Sequence, residues 1–364
     1  MVNKIGIGII GTGIGLRQVA PGFLLTGQAK LVAVCGSSIE RAKEHCADFD
    51  VDLITDDYKA VCDNSDVDII CVTTPNEFHI EHMTYALNTD KHVFLEKPVG
   101  MTAEETRKLA ELVKDNSRLV LVGHQLRFNP YFVAIKNVIG SGKIGKVYYM
   151  NVNQCSNALG EEQRKWMWSF DVEKGGGVRL ALGVHLVDLA RFILDADPIA
   201  TVGTLNPIFD MRLDDEGIAR ESFASRFFSA SLNFEDALVE MSTTAAGKTK
   251  AMFNIIVRGQ HGDLTFDLEN KLTLYKVDGS VEKVVNSDTD KAYDALDGPS
   301  IFWDSFTYYA QEIVDAIQGG SNSIESASTM NDAITNMEIL DATLTSHLKG
   351  TRELLKPWIT KKYS

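Results

Sequence analysis

Val93-Phe94-Leu95-Glu96-Lys97-Pro98 is a short apolar run that ends in an acid, a base and a proline. Its length and its β-branched and aromatic character are those of a buried strand, and Pro98, which lacks an N–H, cannot continue it. Glu96 and Lys97 therefore fall at the carboxyl end of a strand, where open α/β sheets bind ligands. An X-Pro bond can also be cis, which fixes the preceding side chain in an unusual direction. A lysine beside a glutamate is ordinarily a solvated surface pair. At the edge of a dry cleft the same ammonium loses hydration, its pKa falls, and it can give or take a proton near neutral pH. The residues before this run read as a nucleotide-binding unit, and those after Leu119 read as the wall of a substrate pocket.

Toward the amino terminus, Ile5-Gly6-Ile7-Gly8-Ile9-Ile10 is a strand, followed at once by Gly11-Thr12-Gly13-Ile14-Gly15-Leu16 and an apolar helical segment. A strand, a glycine turn and a helix amino terminus make a site for a pyrophosphate: backbone N–H groups point at it and the glycines let it approach. The third glycine of G-x-G-x-x-G would fall at Leu16, and Gly15 comes one residue early. A second strand, Leu31 to Cys35, stands where such a unit reads the ribose. A carboxylate there would select NAD. The strand ends instead in Cys35-Gly36-Ser37-Ser38 with Arg41 a turn later, a set that would accept a 2′-phosphate and points to NADP over NAD. Ser38 is equally placed to cap a helix beginning near Ile39. A third strand, Val67 to Val72, runs into Thr73-Thr74-Pro75-Asn76-Glu77-Phe78-His79, a turn that can present hydroxyls and an amide to a cofactor while capping the next helix. Thr102 and Glu105 form a capping box, and Leu119 to Val122 completes the alternation of strands and helices that implies a doubly wound parallel (Rossmann) sheet over residues 1–125.

Residues 126–364 read differently. Gly123-His124-Gln125-Leu126-Arg127-Phe128-Asn129-Pro130 crosses between the two halves, and Arg127 and Asn129 leave the parallel sheet on its ligand side. A helix over Tyr131 to Ile139 leads to a strand, Lys146 to Gln154. Arg164, Trp166 and Trp168 then precede Gly175-Gly176-Gly177, whose lack of side chains allows close approach to a ligand. In the helix Val178 to Leu194, Ala181, His185 and Asp188 share one face. From Ile199 to about Gly279 the sequence is strand-like and without helices, which implies a large open, mainly antiparallel sheet and an α+β second domain. Helices return from Ile301 to Ile317 and from Ser326 to Leu348.

The net charge of −14 disfavours nucleic acid and anionic membranes, and no basic patch offsets it. The 5 cysteines have no CxxC spacing and read as reduced residues of a cytoplasmic protein. No metal-ligand spacing, membrane span or targeting segment is found in the sequence.

With these residues in hand, the chain resembles the Gfo/Idh/MocA family of oxidoreductases over essentially its whole length. Gly11-Thr12-Gly13 looks like the family's nucleotide loop, Thr74-Pro75-Asn76 with His79 like its TPN-x-x-H turn, and Glu96-Lys97-Pro98 matches its EKP signature. Arg127-Phe128-Asn129-Pro130 resembles its RF-x-P element, and Gly175 to His185 its GGG-x-x-x-D-x-G-x-H segment. The resemblance implies that Lys97 is a catalytic lysine joined to Pro98 by a cis peptide, and that His185 shuttles the carbinol proton. It implies NAD or NADP in the first domain, and the candidate cofactor contacts are Gly11, Thr12, Gly13, Ile14, Ser37, Ser38, Arg41, Thr73, Thr74, Pro75, Asn76, His79, Glu96 and Lys97. It also implies a small hydroxylated substrate, a sugar, polyol or inositol-like compound, near Lys97, Arg127, Asn129, Arg164, Trp166 and His185. The open sheet would build a homodimer or homotetramer. One departure stands out: Ala181 replaces the aspartate that the family commonly has four residues before the histidine. That loss motivates the alternative of a catalytically silent nucleotide-binding sensor. A third reading is a hydrolytic or eliminating enzyme that uses the cofactor transiently.

Overall fold

The computed structural model describes residues 4–114, 117–157, 159, 161, 164–208, 210–248, 250–284 and 301–355. The chain divides into two compact units, Met1–Asn129 with Leu296–Ile334 and Pro130–Ala295 with Thr335–Ser364. This differs from the two continuous spans expected, 1–125 and 126–364, because the chain returns to the first unit near its end. Aromatic packing is the reason. The helix Ile301–Gln318 sets Phe306 5.7 Å from Phe23 and 5.4 Å from Phe94, and stacks Tyr309 on Phe128 at 4.0 Å. Phe306 is fully buried, and truncating such a ring costs about 3–5 kcal/mol.

Six parallel strands build the first unit: β1 (Ile5–Ile10), β2 (Ala29–Cys35), β3 (Leu53–Thr55), β4 (Ile69–Val72), β5 (His92–Leu95) and β6 (Val120–Val122), in the order β3-β2-β1-β4-β5-β6. β3 lies between the helix expected near Ile39 and the strand expected from Val67, where the sequence pattern marks no strand. β1 and β4 are buried at every position, as strands covered on both faces must be. The strand order reverses between β1 and β4, which opens a crevice at their carboxyl ends. Register aligns Ile10 with Val72, Val72 with Leu95 and Leu95 with Val122. The row continues one residue further: the N–H groups of Thr73, Glu96 and Gly123 donate to the carbonyls of Ile10, Val72 and Leu95 at 2.8, 2.9 and 2.8 Å. Gly11, Thr73, Glu96 and Gly123 thus stand side by side at the ligand edge.

In the second unit β7 (Val147–Cys155), β8 (Ala200–Pro207), β9 (Asp210–Leu213), β10 (Ala219–Ser222), β11 (Ser225–Asn233), β12 (Leu238–Thr244), β13 (Met252–Gly259), β14 (Gly262–Asp267), β15 (Lys271–Lys276), β16 (Val281–Lys283) and β17 (Glu353–Leu354) follow one another. β9 and β10 form a separate hairpin, and the rest make a nine-stranded sheet in the order β16-β15-β14-β13-β7-β12-β11-β8-β17. Its neighbours run antiparallel except β7 and β12, which are parallel. The sheet is open and mainly antiparallel as expected. The exception arises because β7, first in the chain, takes the central place between β12 and β13. No described helix is long and apolar enough to cross a membrane.

Candidate active site

Each glycine of the first turn has its own task. Gly11 has φ +104°, and a Cβ there would lie 2.7 Å from the Thr73 carbonyl, so only glycine lets the loop pass the end of β4. At Gly15 a Cβ would meet Thr73 Oγ1 at 2.5 Å and Ile9 Cγ2 at 2.6 Å, so this residue performs the helix–strand packing that the motif gives to its third glycine, one position early. A Cβ on Gly13 would meet nothing within 4 Å, and Gly13 opens the helical run 13–25. An exposed, unobstructed backbone at a helix amino terminus fits the pyrophosphate of a dinucleotide. Ile14, half-buried, comes next in the first turn, and the Thr12 hydroxyl lies 2.7 Å from His45 Nδ1.

At the tip of β2 the Ser38 hydroxyl accepts from the Arg41 N–H at 3.3 Å and caps the helix Ile39–His45. Arg41 is exposed on that helix and Ser37 precedes the cap. Asp56 and Asp57 come directly after β3 alongside. Burial pushes the Cys35 thiol at the end of β2 up to about 12, and the charges of Asp57 and Asp56 add to the rise.

The Thr73 hydroxyl donates to the carbonyls of Ile10 at 3.0 Å and Gly11 at 2.8 Å, which ties the two central loops together. Thr74 Oγ1 lies 3.1 Å from His82 Nδ1, Pro75 opens the short turn Asn76–Phe78, and Asn76 is buried. His79 is fully buried, with Nε2 2.9 Å from the Thr74 carbonyl and Nδ1 2.8 Å from the Pro98 carbonyl. Expected from the sequence to touch the cofactor, it meets backbone on both sides.

Glu96 is buried and Lys97 half-buried, and the peptide between Lys97 and Pro98 is cis. Burial lowers the Lys97 ammonium from its usual range, against the pull of the Glu96 carboxylate. Burial likewise raises the Glu96 carboxyl, which Lys97 partly offsets. An amine made easier to deprotonate at a ligand edge is suited to moving a proton.

Arg127 and Asn129 sit inside the first unit. Arg127 pairs with Asp332 at 3.3 Å, and Asn129, 1% exposed, donates to the Ser305 hydroxyl at 3.1 Å. These polar groups brace the returning helices.

In the second unit, the loop that carries Arg164, Trp166 and Trp168 is held from below. Arg212 donates to the carbonyls of Glu161 at 2.8 Å and Arg164 at 2.9 Å, Trp166 N–H donates to Leu213 O at 2.8 Å, and its indole N–H donates to Glu221 O at 3.1 Å. Arg212 and Arg226 flank the ring of buried Phe170 at 4.5 and 5.2 Å and share the Asp210 carboxylate. Sequence reasoning passed over these arginines; their inward positions in the alternation of β9 and β11 were the available signal. Arg164 is half-buried, 3.6 Å from Glu161. Two of the three glycines make room for this chain's own backbone. A Cβ on Gly176 would lie 2.6 Å from the carbonyls of Ser169 and Asp171, and one on Gly177 would lie 3.2 Å from Ser225 N.

His185 is buried at the start of the helix Val184–Leu194, directly after a π-helical turn, Arg179–Gly183, in which Val184 N–H reaches Arg179 O five residues back. π-turns of this kind recur at functional sites. The shared face expected for Ala181 and His185 assumed α spacing, and the wider turn alters it. Asp188, 1% exposed, accepts from Asn336 at 2.8 Å, and Asn336 in turn accepts from Arg191 at 2.8 Å. Among the described residues no group of three or more His, Cys, Asp or Glu side chains could hold a metal ion.

Residues 5–124 match the oxidoreductase family described as having an NAD-binding Rossmann fold, and residues 136–354 match its C-terminal alpha/beta domain. The chain belongs to the Gfo/Idh/MocA oxidoreductase family. Members of this family resemble it at modest identity. Inositol 2-dehydrogenase of Rhizobium meliloti is 25% identical over 58% of this chain and 61% of its own. A 1-carboxy-3-chloro-3,4-dihydroxycyclohexa-1,5-diene dehydrogenase of Comamonas testosteroni is 29% identical over 51% of this chain and 47% of its own. The matched part thus spans about half to three-fifths of these relatives' length. Levoglucosan dehydrogenase of Pseudarthrobacter phenanthrenivorans is 24% identical over 74% of both chains. Among solved structures, a levoglucosan dehydrogenase in complex with NADH and L-sorbose superposes with a TM-score of 0.86 at 19% identity, covering 98% of this chain and 100% of that one, which establishes the shared fold.

Proposed function

We propose that this protein is an NAD(P)-dependent oxidoreductase that interconverts a CH–OH group and a carbonyl on a sugar, polyol or inositol-like substrate. The observation that carries the reading is Lys97: a half-buried lysine whose pKa burial lowers, one residue beyond the row of Gly11, Thr73, Glu96 and Gly123. The names of the inositol and levoglucosan dehydrogenases support the substrate class.

The bound nicotinamide supplies the hydride acceptor or donor. Gly11, Thr12, Gly13 and Ile14 would hold its pyrophosphate, and Thr73, Thr74, Pro75, Asn76 and Glu96 the parts beyond. Lys97 orients the substrate hydroxyl and, as neutral amine, takes its proton during oxidation; as ammonium it returns the proton to the carbonyl oxygen. His185 is the second proton carrier. General acid-base help of this kind is worth about 10²–10⁴-fold. We assign NADP as the preferred cofactor on Arg41 and the absence of a carboxylate at the tip of β2. A second copy of the chain is assigned to the open sheet, where Tyr148, Val202, Phe227, Met252 and Tyr275 are exposed; sedimentation velocity tests that assembly.

The test is nicotinamide absorbance with NADP and with NAD across a panel of polyols, aldoses and inositols, then the reduced cofactors with the keto forms. Lys97→Met is the control. Turnover that falls about 10²–10⁴-fold in the control is expected; tight nucleotide binding with silence across the panel would favour the sensor.

A further inference from the structure

His79 opens the helix His79–Leu87, is 0% exposed, and joins two loops at the ligand edge. Its Nδ1 lies 2.8 Å from the carbonyl of Pro98, the residue after Lys97, and its Nε2 lies 2.9 Å from the carbonyl of Thr74, on the turn proposed to face the cofactor. The ring thus stands between the two loops, with one nitrogen facing a carbonyl on each.

The protonation of the ring decides which loop it holds more firmly. A neutral imidazole has one N–H and donates to one carbonyl only. Burial pushes His79 down to about 4, and the neighbouring Lys97 charge acts in the same direction, so the ring is neutral at pH 7 although two carbonyl acceptors favour the charged form. The two contacts are nearly equal in length.

Lysine carries its charge on a flexible four-carbon stem, so the backbone beneath it determines where the ammonium is found. Lys97 N–H makes a long contact, 3.3 Å, with Glu96 Oε2. On the far side the loop is fastened by Met101 N–H to Glu105 Oε2 at 2.7 Å and by the Thr102 cap of the helix Ala103–Val113. Between those two fastenings stands the Pro98 carbonyl.

We propose that His79 is a positioning residue for Lys97: its Nδ1–H holds the Pro98 carbonyl and so sets the backbone from which the lysine projects. The proposal rests on the reading of Lys97 as the proton-handling residue. Misplacement of a reacting group by about 1 Å costs about 100-fold in rate.

Asparagine and glutamine separate the two contacts, because the Asn amide nitrogen falls near Nδ1 and the Gln amide nitrogen near Nε2. His79→Asn is expected to keep kcat within about threefold, while His79→Gln and His79→Phe lower kcat about 10- to 100-fold. Substrate KM and the calorimetric Kd for NAD(P) stay within about threefold in all three. Equal losses in every variant, or an undiminished kcat in His79→Gln, would overturn the assignment. The tautomer is read separately, in the wild-type protein, by ¹⁵N NMR of histidine-labelled chain: Nδ1–H is expected, and an Nε2–H ring would overturn the proposal even where a variant fails to fold. Because that measurement needs no turnover, absence of dehydrogenase activity in the wild type would count against the proposed function alone.

Discussion

Gly13→Ala separates the pyrophosphate-binding role of the glycine turn from its folding role. The added methyl meets nothing within 4 Å, and the residue begins the helical run 13–25. Alanine at a position of compatible backbone stabilises a protein by about 0.4–1 kcal/mol, chiefly by restricting the unfolded chain. The same methyl occupies the space through which a pyrophosphate would reach the helix amino terminus. Losing one charge-assisted hydrogen bond there costs about 1.5–3 kcal/mol, or about 10- to 100-fold in Kd. Urea denaturation without nucleotide should therefore show equal or slightly higher stability, while calorimetry with NAD and NADP shows weakened binding of both. Gly11→Ala is the contrasting perturbation. With φ +104° and the Thr73 carbonyl 2.7 Å from the new Cβ, it should lose about 2–5 kcal/mol of stability together with binding. Wild-type nucleotide affinity in Gly13→Ala would refute the placement of the pyrophosphate over this residue.

The lowered pKa of Lys97 predicts that kcat/KM for oxidation rises with pH along a limb lying below 10.5, since the neutral amine is the acting form. That limb should be absent in the residual activity of Lys97→Met. Arg41→Ala should weaken NADP more than NAD; equal weakening would remove Arg41 from recognition of the 2′-phosphate. Asp56→Asn, which removes a negative charge near the same strand tip, should shift preference further toward NADP. For His79, the folded pKa of about 4 lies below the ordinary 6.5, so the fold prefers the neutral ring. Its contribution is complete above pH 6.5 and is lost as pH falls through about 4, amounting to about 3 kcal/mol. The drop in urea stability from pH 7 to pH 4 should be smaller by that amount in His79→Asn, and parallel curves would show that the ring is not held neutral.

Much of the first unit was legible because it is written in short-range patterns. The apolar run Val93–Leu95, the alternation of strands and helices and the turn at Gly11 are each decided by residues within a turn or two. Ser38 and Thr102 show the same: both were recognisable as caps, and both cap. The order of five motifs then identified the family.

Other features depend on partners far along the chain. Arg127 and Asn129, expected at a pocket, also hold Asp332 and Ser305 on the returning helices, partners that lie far along the chain. The return of Ile301–Gln318 to the first sheet is decided by Phe23, Phe94 and Phe128, which no periodicity within that helix can specify. Gly176 and Gly177 make room for this chain's own backbone, and the π-turn before His185 shifts the faces that α spacing assigns. Sequence by itself determined most of the elements and the family, because propensity and motif are local. Only tertiary structure decided which polar groups are engaged inside the protein, because burial and pairing belong to residues that folding alone brings together.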